Sequence, residues 1–150
     1  MDRKHRDLVG GTWLEEYTYK QLKDINSIQD IALSCNVASH KYRLDKNQYS
    51  DENKGNINEF DILFLAKNKL HIIECKTQIL DKSNGIKAED ILYKLETLKD
   101  YGGLMTKKCL ISYFPLPEAM RNRAKTYNIC LIEGTDIQRI KQKIQEWIAK

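Results

Sequence analysis

The chain has 150 residues, 41% of them hydrophobic, enough for one domain with a proper core. Its 25 Lys and Arg against 21 Asp and Glu are a mild excess that permits a polyanionic partner without requiring one. No run approaches the ~20 apolar residues of a membrane span, and the charged start is no secretory signal, so a cytoplasmic protein with no membrane partner is expected.

Residues 1–9 are charged and read as a flexible arm or linker remnant, which leaves 10–150 as a single domain. Gly10-Gly11 precede a helix from Thr12 to about Ile25, whose apolar side is Trp13, Leu14, Tyr17 and Ile25. Thr12-x-x-Glu15 has the form of a capping box, which would give Glu15 a purely local role. Trp13 and Tyr17 are expected in the core rather than as base-stacking platforms. Ile28 to Tyr42 reads as a strand region, with Ile31, Leu33, Cys35 and Val37 alternating. Asp45–Asn56, crowded with Asn, Asp, Ser and Gly, reads as a loop.

Asn58 to Thr77 reads as a β-hairpin, because two apolar runs, Phe60–Ala66 and Leu70–Cys75, break only at Lys67-Asn68-Lys69. With a two-residue turn at Lys67-Asn68, Ala66 faces Lys69, Leu63 faces Ile72 and Asp61 faces Glu74. Lys76 then shares the face of Glu74. The open end so gathers Glu59, Asp61, Glu74 and Lys76. Two carboxylates side by side repel, and a divalent metal such as Mg²⁺ is the natural cation between them. The lysine beside it is placed to orient an attacking water or to neutralise charge growing on a phosphate. A three-residue loop would instead set Asp61 against Cys75 and separate the acids. In the plainer alternative, Lys76 pairs with Glu59 on a solvated rim. Ile62–Leu65 and Ile72–Ile73 are apolar on both faces, and charges entering such a covered sheet are costly without a partner.

After Thr77 a second loop, Asp81–Gly85, leads into a helix from Lys87 to about Tyr101. Its buried stripe is Ala88, Ile91, Leu95 and Leu98, Gly102-Gly103 stop it, and Tyr93 and Lys94 lie off the stripe. Lys108–Phe114 is a strand ended by Pro115 and Pro117, and a basic helix with Arg121, Arg123 and Lys125 follows. Ile129–Ile132 is another strand. Thr135 or Asp136 then caps a last helix with the stripe Ile137, Ile140, Ile144, Trp147 and Ile148. The four cysteines, Cys35, Cys75, Cys109 and Cys130, lie in apolar strand-like runs without C-x-x-C spacing. They read as buried free thiols of a reducing compartment, not a zinc site.

The order α-β-β-β-α-β-α-β-α implies an α/β domain with a mixed sheet covered on both faces. That order, with Asp61 followed by Glu74-Cys75-Lys76, resembles the restriction-endonuclease-like fold of the PD-(D/E)XK nucleases. Gly-x-Trp-Leu-Glu-Glu-Tyr at 11–17, Asn58-Glu59-Phe60-Asp61 and Glu74-Cys75-Lys76-Thr77 are similar to the C-terminal nuclease domain of CARF-containing CRISPR-associated effectors. The proline of the family motif is absent, since Phe60 precedes Asp61. The resemblance implies an Mg²⁺- or Mn²⁺-dependent nuclease of antiviral defence, often a homodimer, cutting DNA, RNA or both. Asp61, Glu74 and Glu15 (or Glu16) would hold the metal and Lys76 would assist attack. No cyclic-nucleotide sensor domain is expected within this chain.

The leading reading is therefore metal-dependent phosphodiester hydrolysis, with the Cys75 backbone carbonyl as a further metal ligand. Lys82, Lys87, Tyr93, Lys94, Arg121 and Arg123 are the candidate nucleic-acid contacts. The alternatives are a non-catalytic nucleic-acid-binding or assembly module on the same fold and a junction-resolving nuclease.

Overall fold

The computed structural model describes residues 12–38, 57–80, 88–98, 100–101 and 104–150. Helix α1 (Thr12–Leu22) leads into β1 (Ile28–Ala38), β2 (Ile57–Ala66) and β3 (Lys69–Lys76). Helix α2 (Ala88–Glu96), the short β4 (Asp100–Tyr101) and β5 (Leu104–Ser112) come next. Helix α3 (Glu118–Thr126), β6 (Ile129–Glu133), a 3₁₀ segment (Gly134–Arg139) and α4 (Ile140–Ala149) complete the order. Strands β1, β2 and β3 run antiparallel, β3, β5 and β6 run parallel, and β4 adds a short antiparallel pair to the start of β5. Parallel neighbours need crossovers, and here they carry α2 and α3.

Helices α1 and α4 cover one face around Leu14, Leu22, Phe64, Ile73, Ile111 and Ile144. On the other face α2 and α3 pack over Ile72, Leu92, Leu95, Leu110 and Ala124. Ile72 and Ile73 are both fully buried, as their position in a doubly covered sheet requires. Each such side chain contributes roughly 1.5–3 kcal/mol by leaving water.

The hairpin forms in the expected register. Leu63 pairs with Ile72 and Ala66 with Lys69, so Lys67 and Asn68 are the whole turn. Both have positive φ, 49° and 58°, the conformation that two-residue hairpin turns favour because its twist matches that of the strands.

Several expectations need correction. The second helix ends at Glu96 rather than near Tyr101, and Tyr101 instead pairs with Leu104 in an antiparallel strand. The strand expected at Lys108–Phe114 begins at Leu104 and ends at Ser112. Neither Thr135 nor Asp136 caps α4. Both lie inside the 3₁₀ segment, and α4 starts after Arg139 with no side-chain cap. The apolar stripe of that last helix is buried as expected, from Ile137 to Ile148. All four cysteines are free, but Cys35 and Cys130 are half-buried rather than buried. Trp13 packs against the core, while Tyr17 is 36% exposed. Residues 1–11, 39–56, 81–87, 99 and 102–103 lie outside the described residues.

Candidate active site

The parallel strands end together, with Lys76 beside Ser112 and Ser112 beside Glu133. At this end the sheet is irregular around Asp61. Pairing with β1 passes from Leu33–Ile62 to Cys35–Phe60 over Ser34 and Asp61, and Ser34 has φ 52°. Ile62 and Phe64 belong to the core under α1 and α4, yet Phe60 belongs to the core under α2 and α3. The alternation of β2 thus reverses across Asp61, while the β1–β2 pairs on either side keep one register. On the β3 side the paired residues end at Ile62–Ile73, one step short of Asp61 and Glu74. Asp61 compensates for the missing step, since its Oδ2 accepts the Cys75 N–H at 2.8 Å.

Three carboxyls meet there. Glu74, 5% exposed, extends from β3 on the α2 side, where Lys94 Nζ stands 3.6 Å from its Oε1. Burial, then the charge of Asp61, pushes the Glu74 carboxyl up to about 7 against the pull of Lys94 and Lys76. The ion pair with Lys94 is therefore too weak to offset burial. Glu15 arrives from α1, and burial, the charge of Asp61 and a hydrogen bond with it raise its carboxyl to about 7 as well. Glu15 thus belongs to this cluster. Glu16, one step round the helix, is exposed. The helix that carries Glu15 begins at Thr12, so Glu15 reaches Asp61 from its first turn.

Lys76 is half-buried, and its charge acts on both Glu15 and Glu74. Among the described residues no ion pair joins it to Glu59, so the solvated-rim alternative is not what forms. Its carbonyl accepts the Tyr113 N–H at 2.9 Å, which fixes the backbone of Glu74-Cys75-Lys76 against the end of β5. Cys75 points away, to the α1 side, where its Sγ donates to Thr18 Oγ1 at 4.0 Å. Thr18 was not anticipated. Its spacing of three from Glu15 on one helix was the available signal.

The other predicted contacts divide. Lys94 flanks Glu74 from α2, and Tyr93, its neighbour in the chain, is 62% exposed. Arg121 is bonded through Nε to Glu133, and Arg123 is ion-paired with Glu89, so neither arginine is a free cation. Lys82 and Lys87 lie outside the described residues.

Among the described residues no three Asp, Glu, His or Cys groups stand in metal-enclosing geometry. Mg²⁺ and Mn²⁺ do not need such a cage, since one or two carboxylates with waters and a substrate phosphate suffice. The donor set fits, because Asp61 and Glu74 are crowded acids whose mutual repulsion a divalent cation would relieve.

A family model described as "Card1-like, endonuclease domain" matches residues 2–150. The chain belongs to the Card1-like endonuclease domain family. Among solved structures, this endonuclease domain is similar to protein VC1899 from Vibrio cholerae. The identity is 31% and the TM-score 0.78, over 99% of this chain and 37% of that one. It is also similar to Can2 from Sulfobacillus thermosulfidooxidans, solved in complex with cyclic tetra-adenylate. There the identity is 24% and the TM-score 0.77, over 99% of this chain and 40% of that one. The domain therefore spans about two fifths of each of these proteins. The small subunit of the heterodimeric restriction endonuclease R.BspD6I shares the fold at a TM-score of 0.57 and 12% identity, over 92% of this chain and 77% of that one. No curated protein sequence matches the chain. The fold is restriction-endonuclease-like, and no helix among the described residues is long and apolar enough to cross a membrane.

Proposed function

We propose that this endonuclease domain hydrolyses phosphodiester bonds of DNA, RNA or both with Mg²⁺ or Mn²⁺, as part of CRISPR antiviral defence in the cytoplasm. The convergence of Glu15, Asp61, Glu74 and Lys76 at one strand end supports this most directly. Asp61, Glu74 and the Cys75 carbonyl would hold the metal, with Glu15 placed to bind it through water or to hold a second one. When bound, the metal polarises a phosphate oxygen and acidifies water. Lys76 orients the attacking water and neutralises charge on the phosphate as it becomes pentacovalent. The Cys75 N–H holds Asp61 in one rotamer, so the carboxylate is already placed before substrate arrives. Lys94 keeps Glu74 partly ionised and faces the approaching backbone. The homodimer implied by the resemblance belongs to the same proposal.

The test is a cleavage assay on supercoiled plasmid and single-stranded RNA with Mn²⁺ or Mg²⁺. Wild type is compared with Glu74→Ala and Lys76→Ala. Cutting that EDTA abolishes and both variants lose supports the reading. Binding without cutting under either metal overturns it in favour of a non-catalytic module. A strong preference for branched over linear DNA would redirect it to junction resolution.

A further inference from the structure

A second charged cluster lies at the opposite end of the sheet from the carboxyls. Lys69 begins β3, Lys107 and Lys108 lie on β5, Lys125 ends α3, and Lys143 and Lys150 come from α4 and its end. Together these six lysines line one cavity of about 600 Å³. They converge from four elements around a hollow rather than along a stripe, and the volume falls in the ~300–1,000 Å³ range of small-ligand pockets. Among the described residues that line it, Glu146 alone is acidic, and that carboxylate accepts from Gln142 Nε2 at 3.1 Å. Lys143 is held by Asp136 at 3.7 Å. No described carboxylate pairs with Lys69, Lys107, Lys125 or Lys150.

We propose that this cavity binds a phosphate-bearing ligand of about nucleotide size, held by Lys69, Lys107, Lys125 and Lys150. Several compact ammonium charges in one small volume demand a multiply charged anion, and lysine serves phosphate as a point charge with three donors. Lys107 is fixed in place, since its Nζ donates to the Trp147 carbonyl and lies 5.6 Å from the centroid of the Trp147 ring. The surroundings are strongly positive. Burial and then Lys69 lower the Lys107 ammonium below its ordinary value. A hydrogen bond with Cys109 and the fields of Lys150, Lys107 and Lys143 lower the Cys130 thiol despite its burial. Two sources offer the same chemistry, a free nucleotide or the backbone of a nucleic acid that also reaches the carboxyls. Along β3 alone the two clusters are about 16 Å apart.

Binding here does not depend on hydrolysis, so the test uses the whole chain in EDTA. The half-buried Cys130 lines the cavity and serves as the reporter. Its alkylation by iodoacetamide is followed by peptide mapping while ATP or a short single-stranded RNA is titrated in. A bound anion should slow Cys130 saturably. Protection by ATP identifies a free nucleotide as sufficient, and protection by RNA alone identifies the backbone. The exposed pair Lys125→Glu/Lys150→Glu should weaken the protecting ligand about tenfold with an unchanged melting temperature. Failure of both ligands to slow Cys130, or equal affinity in the double charge reversal, overturns the proposal while leaving the cleavage reading untouched.

Discussion

The two ends of the sheet pose the same physical problem with opposite signs. At one end Glu15, Asp61 and Glu74 crowd together, and at the other Lys69, Lys107, Lys125 and Lys150 do. Between them Ile72, Ile73, Leu110 and Ile111 are all fully buried. The acidic end carries partial relief of its own, from Lys94, Lys76 and the Cys75 N–H. The basic end has Glu146, which is turned to Gln142. A well-packed apolar middle can tolerate a few kcal/mol of repulsion at each rim, and that tolerance leaves each rim able to take an ion of opposite sign.

Four substitutions can break or sharpen this contrast. The largest effect belongs to Glu74→Ala, which should lower metal-dependent cleavage by about a thousandfold or more, read as single-turnover rates. If activity falls only a few-fold, the acidic end is structural.

Acid should then act on the two ends in opposite directions. His71, fully buried at the basic end, donates from Nδ1 to the Lys69 carbonyl at 3.0 Å, and its Nε2 has no partner. Burial lowers its imidazole to about 4 from 6.5. The unfolded chain therefore binds more protons between those values. Stability from the neutral ring is complete above pH 6.5 and is lost as pH falls towards 4, by at most about 3 kcal/mol. His71→Phe should flatten that loss in urea-unfolding midpoints measured across the same pH range.

Glu74 has the opposite sign. Its folded value of about 7 against 4.5 unfolded means that the native state holds the proton longer, so its handicap grows from pH 4.5 and is complete above 7. Without metal, Glu74→Gln should therefore stabilise the domain above pH 7 by about 1–2 kcal/mol. Mn²⁺ should raise the melting temperature of wild type and not that of the variant. An equal metal response in both would separate Glu74 from the metal. The smallest effect is expected at Arg123→Ala, on the exposed ion pair with Glu89, at no more than about 0.5 kcal/mol in thermal unfolding.

The hairpin could be read from the sequence because its information is local: two apolar runs, one polar interruption and a period of two. That local pattern alone brings Asp61, Glu74 and Lys76 to one end. What it could not reach depends on contacts between distant segments. The reversal at Asp61 needs Ser34 of β1 alongside it, and nothing in Ile28–Ala38 marks Ser34 for a positive φ. The choice of Glu15 over Glu16 needs the rotation of α1 against β2, and the role of Lys94 needs the position of α2 over β3. The basic cavity was invisible for the same reason, since its lysines lie singly or in pairs from 69 to 150 and form no run.

The bend at Lys67-Asn68 lies at the far end of β2 from Asp61, yet it sets the phase of everything downstream on β3. Lengthening it by one residue would leave the solvent-facing tip undisturbed and carry a half-period slip along the ribbon to its other extremity. There Glu74 would swap places with a neighbouring thiol. A surface bend of this kind is ordinarily free to drift in length, but here it acts as a vernier and its size is dictated from six residues away.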